Sequence, residues 1–192
     1  MGNSNKILAV GIVLLSAALL LGARFDATWA GGTGERHALV TTPGGATYER
    51  GEIISWEDTD QFLIGYATVF LDEGTEVKIV SSVKNKEVIT VVQGRVLIWG
   101  PLVVETREVD VAVSSVTSIV HYSWLDEIEV MNIAGAAILR IDGVEQHIEV
   151  GQGIRTSTLP PYTNEPFVVD LDASTAAAFY HRIPDLPWPA AD

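Results

Sequence analysis

The sequence predicts an all-β domain: a rolled or solenoid-like antiparallel arrangement of about ten short strands. A single N-terminal transmembrane helix precedes it and a short C-terminal helix follows. Three observations predict this class. From Gly51 onward, short runs rich in Val, Ile, Thr and Tyr recur, broken by single glycines and Asp/Glu/Asn turns. Several runs alternate cleanly: Glu76 and Lys78 fall on one face, Val77 and Ile79 on the other, the period-2 signature of a half-buried strand. The runs return at roughly 8–10-residue spacing, which suits a sandwich, roll or solenoid.

The first element is the run from Ile7 through Leu14 and Leu21 to Ala23, uncharged throughout, between Lys6 and Arg24. As a helix it would be roughly 26 Å long, at the low end of a membrane span. Phe25 and Trp29 extend it with rings suited to the interface. Lys6 and the α-amine precede the run, whereas Arg24 and Asp26 nearly cancel after it, so the charge bias places the N-terminus in the cytoplasm. Residues 1–24 thus read as an anchor of a single-pass inner-membrane protein whose C-terminal domain is extracytoplasmic. The rival is a signal peptide cleaved after Thr28-Trp29-Ala30. Against it, the apolar run exceeds the usual 7–15 residues and stands six residues from Ala30. Lys6 occupies the position where myristoylation needs Ser or Thr, and the absence of cysteine excludes a lipoprotein thioether.

Residues 25–50 read as a Gly-rich linker (Gly31-Gly-Thr-Gly34, Pro43-Gly-Gly45), extended and flexible. The β domain follows over 51–171. Its strands include Ala67–Leu71, Thr75–Val80, Val88–Val92, Arg95–Trp99, Val103–Thr106 and Val109–Val113. Ser118–Tyr122, Ile128–Met131, Ala137–Ile141 and Glu145–Val150 continue the series, and Phe167–Leu171 is the last. Glu87–Gly100 resembles Glu127–Arg140 as a weak internal repeat, with one extra residue in the second copy of the kind a β-bulge absorbs. In both, a strand runs into a glycine and continues as another strand. Gly94 and Gly135 are therefore expected at equivalent corners. Residues 172–182 read as a short helix, with Asp172 or Ser174 as N-cap and Pro184 as the stop. The tail around Trp188 carries three prolines. Such an end docks on its own domain, stays disordered or serves as a ligand for another protein.

The chain has 25 acidic and 12 basic residues, a net charge of −13. Only Lys6 precedes Arg24, which leaves residues 24–192 near −14. No basic stripe exists for nucleic acid or anionic lipid. The absence of cysteine and of any Asn-x-Ser/Thr sequon points to a prokaryotic envelope protein.

At these residues the chain resembles a known family. Leu71-Asp-Glu-Gly74-Thr75-Glu-Val-Lys-Ile79 is similar to the L-x-x-G-[ST]-x-[IVL] stretch of FecR-type extracytoplasmic domains, and Val92-Gln-Gly94-Arg95-Val96 to their L-x-x-G-[RE] strand. Ile133-Ala-Gly135-Ala-Ala-Ile138 and Glu149-Val-Gly151-Gln152-Gly153 resemble the later V-x-x-G-x-V and L-x-x-G-Q pair. Order and spacing agree over about residues 50–158. The resemblance implies a β-rich periplasmic domain that senses an envelope state and relays it through one membrane helix to a partner protein. The chain departs from the family at its start: only Met1 to Lys6 precede the apolar run, so sigma-factor regulation is not carried over.

No catalytic constellation is evident, and the chain reads as a non-enzyme without cofactor or metal. His37, His121, His147 and His181 lack ligand spacing. The carboxylate groups Glu57/Asp58/Asp60, Asp126/Glu127/Glu129 and Asp170/Asp172 read as solvated turns, lacking a calcium-loop frame. Trp56 and Trp124 beside them would permit sugar stacking, but burial in the core is the favoured reading. Two alternatives to a FecR-like module stand. One is a lipopolysaccharide-transport bridge of the LptC type, which needs an apolar groove open at a sheet edge. The other is a structural subunit of a surface assembly.

The face assignments make a direct prediction. Val77→Asp, Val91→Asp or Ile138→Asp should unfold the domain, whereas Asp58→Asn or Asp60→Asn should leave its thermal melt near that of the parent.

Overall fold

A computed structural model describes residues 40–170, except 85, 108 and 123, together with 179, 182 and 183. All belong to the second of the two units into which the chain divides, Glu35–Asp192. The expected anchor (Ile7, Leu14, Leu21, Ala23) lies outside the described residues. So do the Trp188 tail and, Phe179 and Arg182 apart, the expected C-terminal helix. Among the described residues no helix is long and apolar enough to cross a membrane.

The described region is all-β. Its strands are β1 (Val40–Thr41), β2 (Thr47–Tyr48), β3 (Ile53–Ser55), β4 (Gln61–Ile64), β5 (Ala67–Leu71), β6 (Glu76–Val83), β7 (Lys86–Trp99) and β8 (Leu102–Thr106). They continue with β9 (Val109–Val113), β10 (Val116–Tyr122), β11 (Glu127–Ala134), β12 (Ala137–Ile141), β13 (Val144–Ile148), β14 (Gln152–Ser157) and β15 (Asn164–Val168). Fifteen strands replace the expected ten or so, because very short pairs and hairpin arms leave little mark on composition. β1 and β2 correct the linker reading of 25–50 over its last part. Val40 is buried and pairs with Tyr48, and Thr41 pairs with Leu63.

The strands form two sheets that share β7. Sheet I runs β3-β6-β7-β8-β9-β12-β13 and sheet II runs β2-β1-β4-β5-β7-β10-β11-β14-β15. The first half of β7 pairs with β6, and its second half pairs with β5 and β10. After Gly100 the chain returns to sheet I, where β8 lies parallel to the first half of β7, with Val88 opposite Val103. That one parallel pair departs from the expected antiparallel arrangement. It is the product of rolling: a chain that crosses to the second sheet and back re-enters the first in its original direction. The next chain pair rolls likewise, β9 into β10 and β11 into β12.

The core lies between the sheets. Val77, Ile79, Val104 and Leu139 from sheet I meet Val69, Ile98, Ile119 and Val130 from sheet II. Each such side chain contributes roughly 1.5–3 kcal/mol on burial. Glu76–Ile79 alternates as expected, but Ile138 does not face the core. Ala137, Leu139 and Ile141 are the buried residues of β12, and Ile138 is only half-buried. The parity of β12 is set after the Gly135-Ala136 corner, and a corner erases the alternation carried in from β11.

Gly94 and Gly135 both sit at sheet-to-sheet crossings with positive φ, 90° and 79°. They lie at opposite ends of sheet II rather than at equivalent corners. Gly94 pairs with His121, whereas Gly135 follows Ala134, which pairs with Val116 beside Trp99. The repeat is thus traversed in opposite senses, from sheet I to II at Gly94 and from II to I at Gly135. The extra residue of the second copy is a bulge at Ile133, because Val116 pairs with Ala134 and Thr117 with Asn132. A second bulge at Val92 in the first copy was not foreseen.

These corners rank the glycines. A Cβ on Gly94 would stand 2.7 Å from the Thr75 backbone, whereas one on Gly143, with φ 75°, would meet nothing within 4 Å. Gly143→Ala should cost about 1 kcal/mol from the backbone alone. Gly94→Ala should cost on the order of 3 kcal/mol or more, since strain and a backbone clash add. Urea titrations of the two variants check the ranking.

Candidate functional site

The residues singled out by family resemblance gather into two hydrogen-bonded corners. At the first, β5 ends at Leu71, the chain turns through Asp72-Glu73-Gly74-Thr75, and β6 departs into sheet I. Gly74, with φ 74°, permits the turn. The buried Thr75 hydroxyl then accepts from the Arg95 N–H (3.0 Å) and donates to the Arg95 carbonyl (2.9 Å). Asp72 N–H donates to that carbonyl too, at 3.1 Å, and the Arg95 guanidinium lies 3.0 Å from the Asp72 carboxylate. Leu71, Gly74, Thr75, Gly94 and Arg95 are therefore one structural unit.

The second corner is organised by Asn132, which sequence reasoning missed. Its side chain is fully buried, and Nδ2 donates to the carbonyls of Gly135 (3.1 Å) and Ile148 (2.7 Å). Its backbone carbonyl accepts from Gly151 N–H at 2.9 Å. Gly135 and Gly151 are thereby brought together. Gln152 begins β14 with its side chain exposed, so it belongs to this corner by position only. A lone Asn inside an apolar run was the available signal, since a buried carboxamide demands partners.

Sheet II presents an outer face that carries the features best suited to contact. Leu97, Val116, Val120, Met131 and Ile133 form a second apolar cluster there, and Phe179 from the C-terminal segment is seated on it, fully buried. Arg182 extends from that segment to the first corner. It donates to the Leu71 carbonyl at 3.1 Å and lies 3.6 Å from both Asp60 and Asp72. Beside the cluster, Arg155 donates from Nε (3.2 Å) and Nη2 (2.6 Å) to one oxygen of the buried Glu129. The guanidinium also lies 5.6 Å from the Tyr122 ring centroid. Its hydrogen bonds to Glu129 hold the Arg155 pKa above the ordinary value, and burial raises that of Tyr122.

Tyr122 meets Trp124 edge to face, centroids 5.7 Å apart. Trp124 is 73% exposed and the neighbouring Leu125 55%. Trp56 is also exposed, so the expectation of buried tryptophans is corrected for both. Each sits in a turn between strands, where no facing layer can cover it. Trp124, Tyr122 and Arg155 are the residue types that dominate binding energetics at protein interfaces.

Of the carboxylate groups, Asp58, Asp126 and Glu129 meet local partners, and Asp172 lies outside the described residues. Asp58 accepts from the N–H and hydroxyl of Ser55, which lowers its pKa in a solvated turn. Asp126 pairs with Arg107 at 2.6 Å, and Glu129 with Arg155. His121 is buried, its Nδ1 donating to the Val91 carbonyl at 2.7 Å, whereas His147 is exposed on β13. Among the described residues no three His, Cys, Asp or Glu side chains are placed to hold a metal ion.

Two solved structures share this arrangement, each a crystal structure of a candidate anti-sigma factor from Parabacteroides distasonis. The first matches with a TM-score of 0.52 at 16% identity, over 67% of this chain and 61% of that one. The second matches with a TM-score of 0.50 at 15% identity, over 77% and 62%. The chain therefore spans about three-fifths of the length of each neighbour. What is shared at this identity is the fold. No family model and no curated protein matches the sequence.

Asn132 supplies a test of the second corner. Asn132→Asp keeps the shape but replaces two donated hydrogen bonds with a buried carboxylate facing two carbonyls. Stability at neutral pH should fall by on the order of 3 kcal/mol. Part of the loss should return in acid, where the carboxyl is protonated and can donate again. Denaturant titrations at pH 7 and pH 4 read both effects.

Proposed function

We propose that this chain is an extracytoplasmic binding and signal-relay module of the FecR type, held at the membrane by residues 1–24 and without catalytic activity. The observation that carries the reading is the first corner. The residues that resemble the FecR pattern, Leu71, Gly74, Thr75, Gly94 and Arg95, form one interlocked unit that shapes the fold rather than lining a reaction site. The fold likeness to candidate anti-sigma factors supports the same class.

The outer face of sheet II is the binding surface in this reading. Trp124, Leu125 and Tyr122 are the anchors, and Phe179 with Arg182 ties that face to the C-terminal segment. A partner seated beside Phe179 would act on the Arg182–Asp72–Arg95 chain of contacts, which gives a relay its physical path. The lipid-transport alternative is not favoured. The space between the sheets is filled by side chains, and the cavity at the β13 edge, about 250 Å³, falls below the usual range for a small-molecule cleft.

Expression in a bacterial host of the full chain with alkaline phosphatase at its C-terminus, and a photo-crosslinking residue in place of Trp124, tests the proposal. The expected result is an active phosphatase, an intact mass that begins at Met1, and a cross-link to an envelope protein. An inactive phosphatase or a mass starting near Gly31 would overturn the anchored, extracytoplasmic reading. Hydrolysis of cell-wall glycan by the purified domain would overturn the non-catalytic one.

A further inference from the structure

Sheet I ends on β13 and sheet II on β15, and Asn164 of β15 reaches Gln146 of β13. The ends differ in kind. β15 contains Pro166, which removes an N–H and blunts the edge. The strands at the opposite ends, β2 and β3, span only two and three residues. β13 spans five residues without proline and, among the described residues, pairs only with β12. One side of its backbone N–H and C=O groups therefore points away from the sheet, which is the geometry that β-augmentation uses.

The register across sheet I specifies what would fit there. On the outer face one cross-strand row runs Glu105, Asp110, Arg140, Glu145. Glu105 and Asp110 are like charges directly opposite, and burial together with Asp110 raises the Glu105 pKa. Arg140 is the one cation of the row, and its Nε donates to Glu145 at 2.8 Å. Opposite charges in facing positions stabilise a sheet, so the next position, opposite Glu145, fits a cation. Asp142 and Glu149 flank β13, and Glu165 lies on β15. On the inner face the parallel row runs Val104, Val111, Leu139, Gln146. It ends at a cavity of about 250 Å³ lined by Leu139, Ile141, Val144 and Tyr162. Gln146 accepts from Asn164 at 3.3 Å across this gap, and Val144 is 69% exposed at its mouth.

We propose that β13 is the acceptor edge for an extended strand of a partner protein, with basic side chains on the outer face opposite Glu145 and an apolar side chain entering the cavity beneath β13. This surface is separate from the sheet II face and stands whether or not the relay function does. A second copy of the chain is a poor occupant, since each carries a net charge of −13. The chain's own tail fits no better: from Pro184 to Asp192 it has three prolines, two aspartates and no cation.

The test uses the full chain and a capped nonapeptide of alternating lysine and valine, with its glutamate–valine counterpart as control. Successive N–H groups along a strand point in opposite directions, so one of the pair Gln146→Pro and His147→Pro removes an outward N–H and spares the bonds to β12. The lysine peptide should slow amide exchange at Val144–Ile148. The proline variant that keeps the parent Tm should bind it at least about tenfold more weakly, and Glu145→Lys should weaken it too while improving binding of the glutamate peptide. No protection at millimolar peptide, or equal binding of both peptides, would overturn the proposal. So would a dimer in light scattering that the peptide dissociates, which names a second copy as the occupant. Amides of β13 that are protected in the free chain and released by truncation after Ile183 would name the tail.

Discussion

One strand belongs to two sheets, and everything else in the domain is arranged around that fact. β7 can leave sheet I and enter sheet II only because Gly94 adopts φ 90° at a point where a Cβ would meet the Thr75 backbone. The Thr75 hydroxyl then bonds both polar groups of Arg95, so the backbone freed from one ladder is satisfied before it joins the next. A corner of this kind exposes N–H and C=O groups that regular pairing would cover, and leaving them unmet inside the fold would cost about 1–3 kcal/mol each. The resemblance to the FecR pattern is therefore a resemblance in how a sheet is folded over.

The rolled arrangement divides labour between the faces. Between the sheets apolar contact dominates, and the few polar side chains there bond backbone carbonyls, Asn132 through Nδ2 and His121 through Nδ1. The outer face of sheet II is apolar enough to need cover, and Phe179 supplies it. The outer face of sheet I carries a charged row with one cation among three carboxylates. Two surfaces with different demands thus emerge from one topology, the first suited to aromatic anchors and the second to a basic strand.

Much of the strand content was legible because a half-buried strand must alternate. Glu76–Ile79 alternates as expected on that ground, and Gly94 and Gly135 do turn the chain, though at opposite ends of sheet II. Ile138 departs from its expected core position because a sheet-to-sheet corner resets the alternation, and no local pattern records which neighbour lies opposite. β1 and β2 lie in a stretch whose composition reads as linker, because two-residue pairings depend on β4, which a window of sequence cannot weigh. Trp124 was expected in the core, since aromatic residues near strands usually are. Its exposure follows from its place in the β10–β11 turn and from Tyr122, which supports it from one side.

The sequence by itself determined the β class, the acidic character, the absence of disulfides and the need for backbone bends at Gly94 and Gly135. Each is a property of residue type or of spacing along the chain. Only the tertiary structure decided that Gly94 and Gly135 stand at opposite ends, that Asn132 joins Gly135 to Gly151, and that β13 ends its sheet beside a cavity. Those facts depend on which strands become neighbours. Pairing is set by closure of the whole roll, in which residues far apart in the chain compete for the same ladder positions, and only the packed core selects among them.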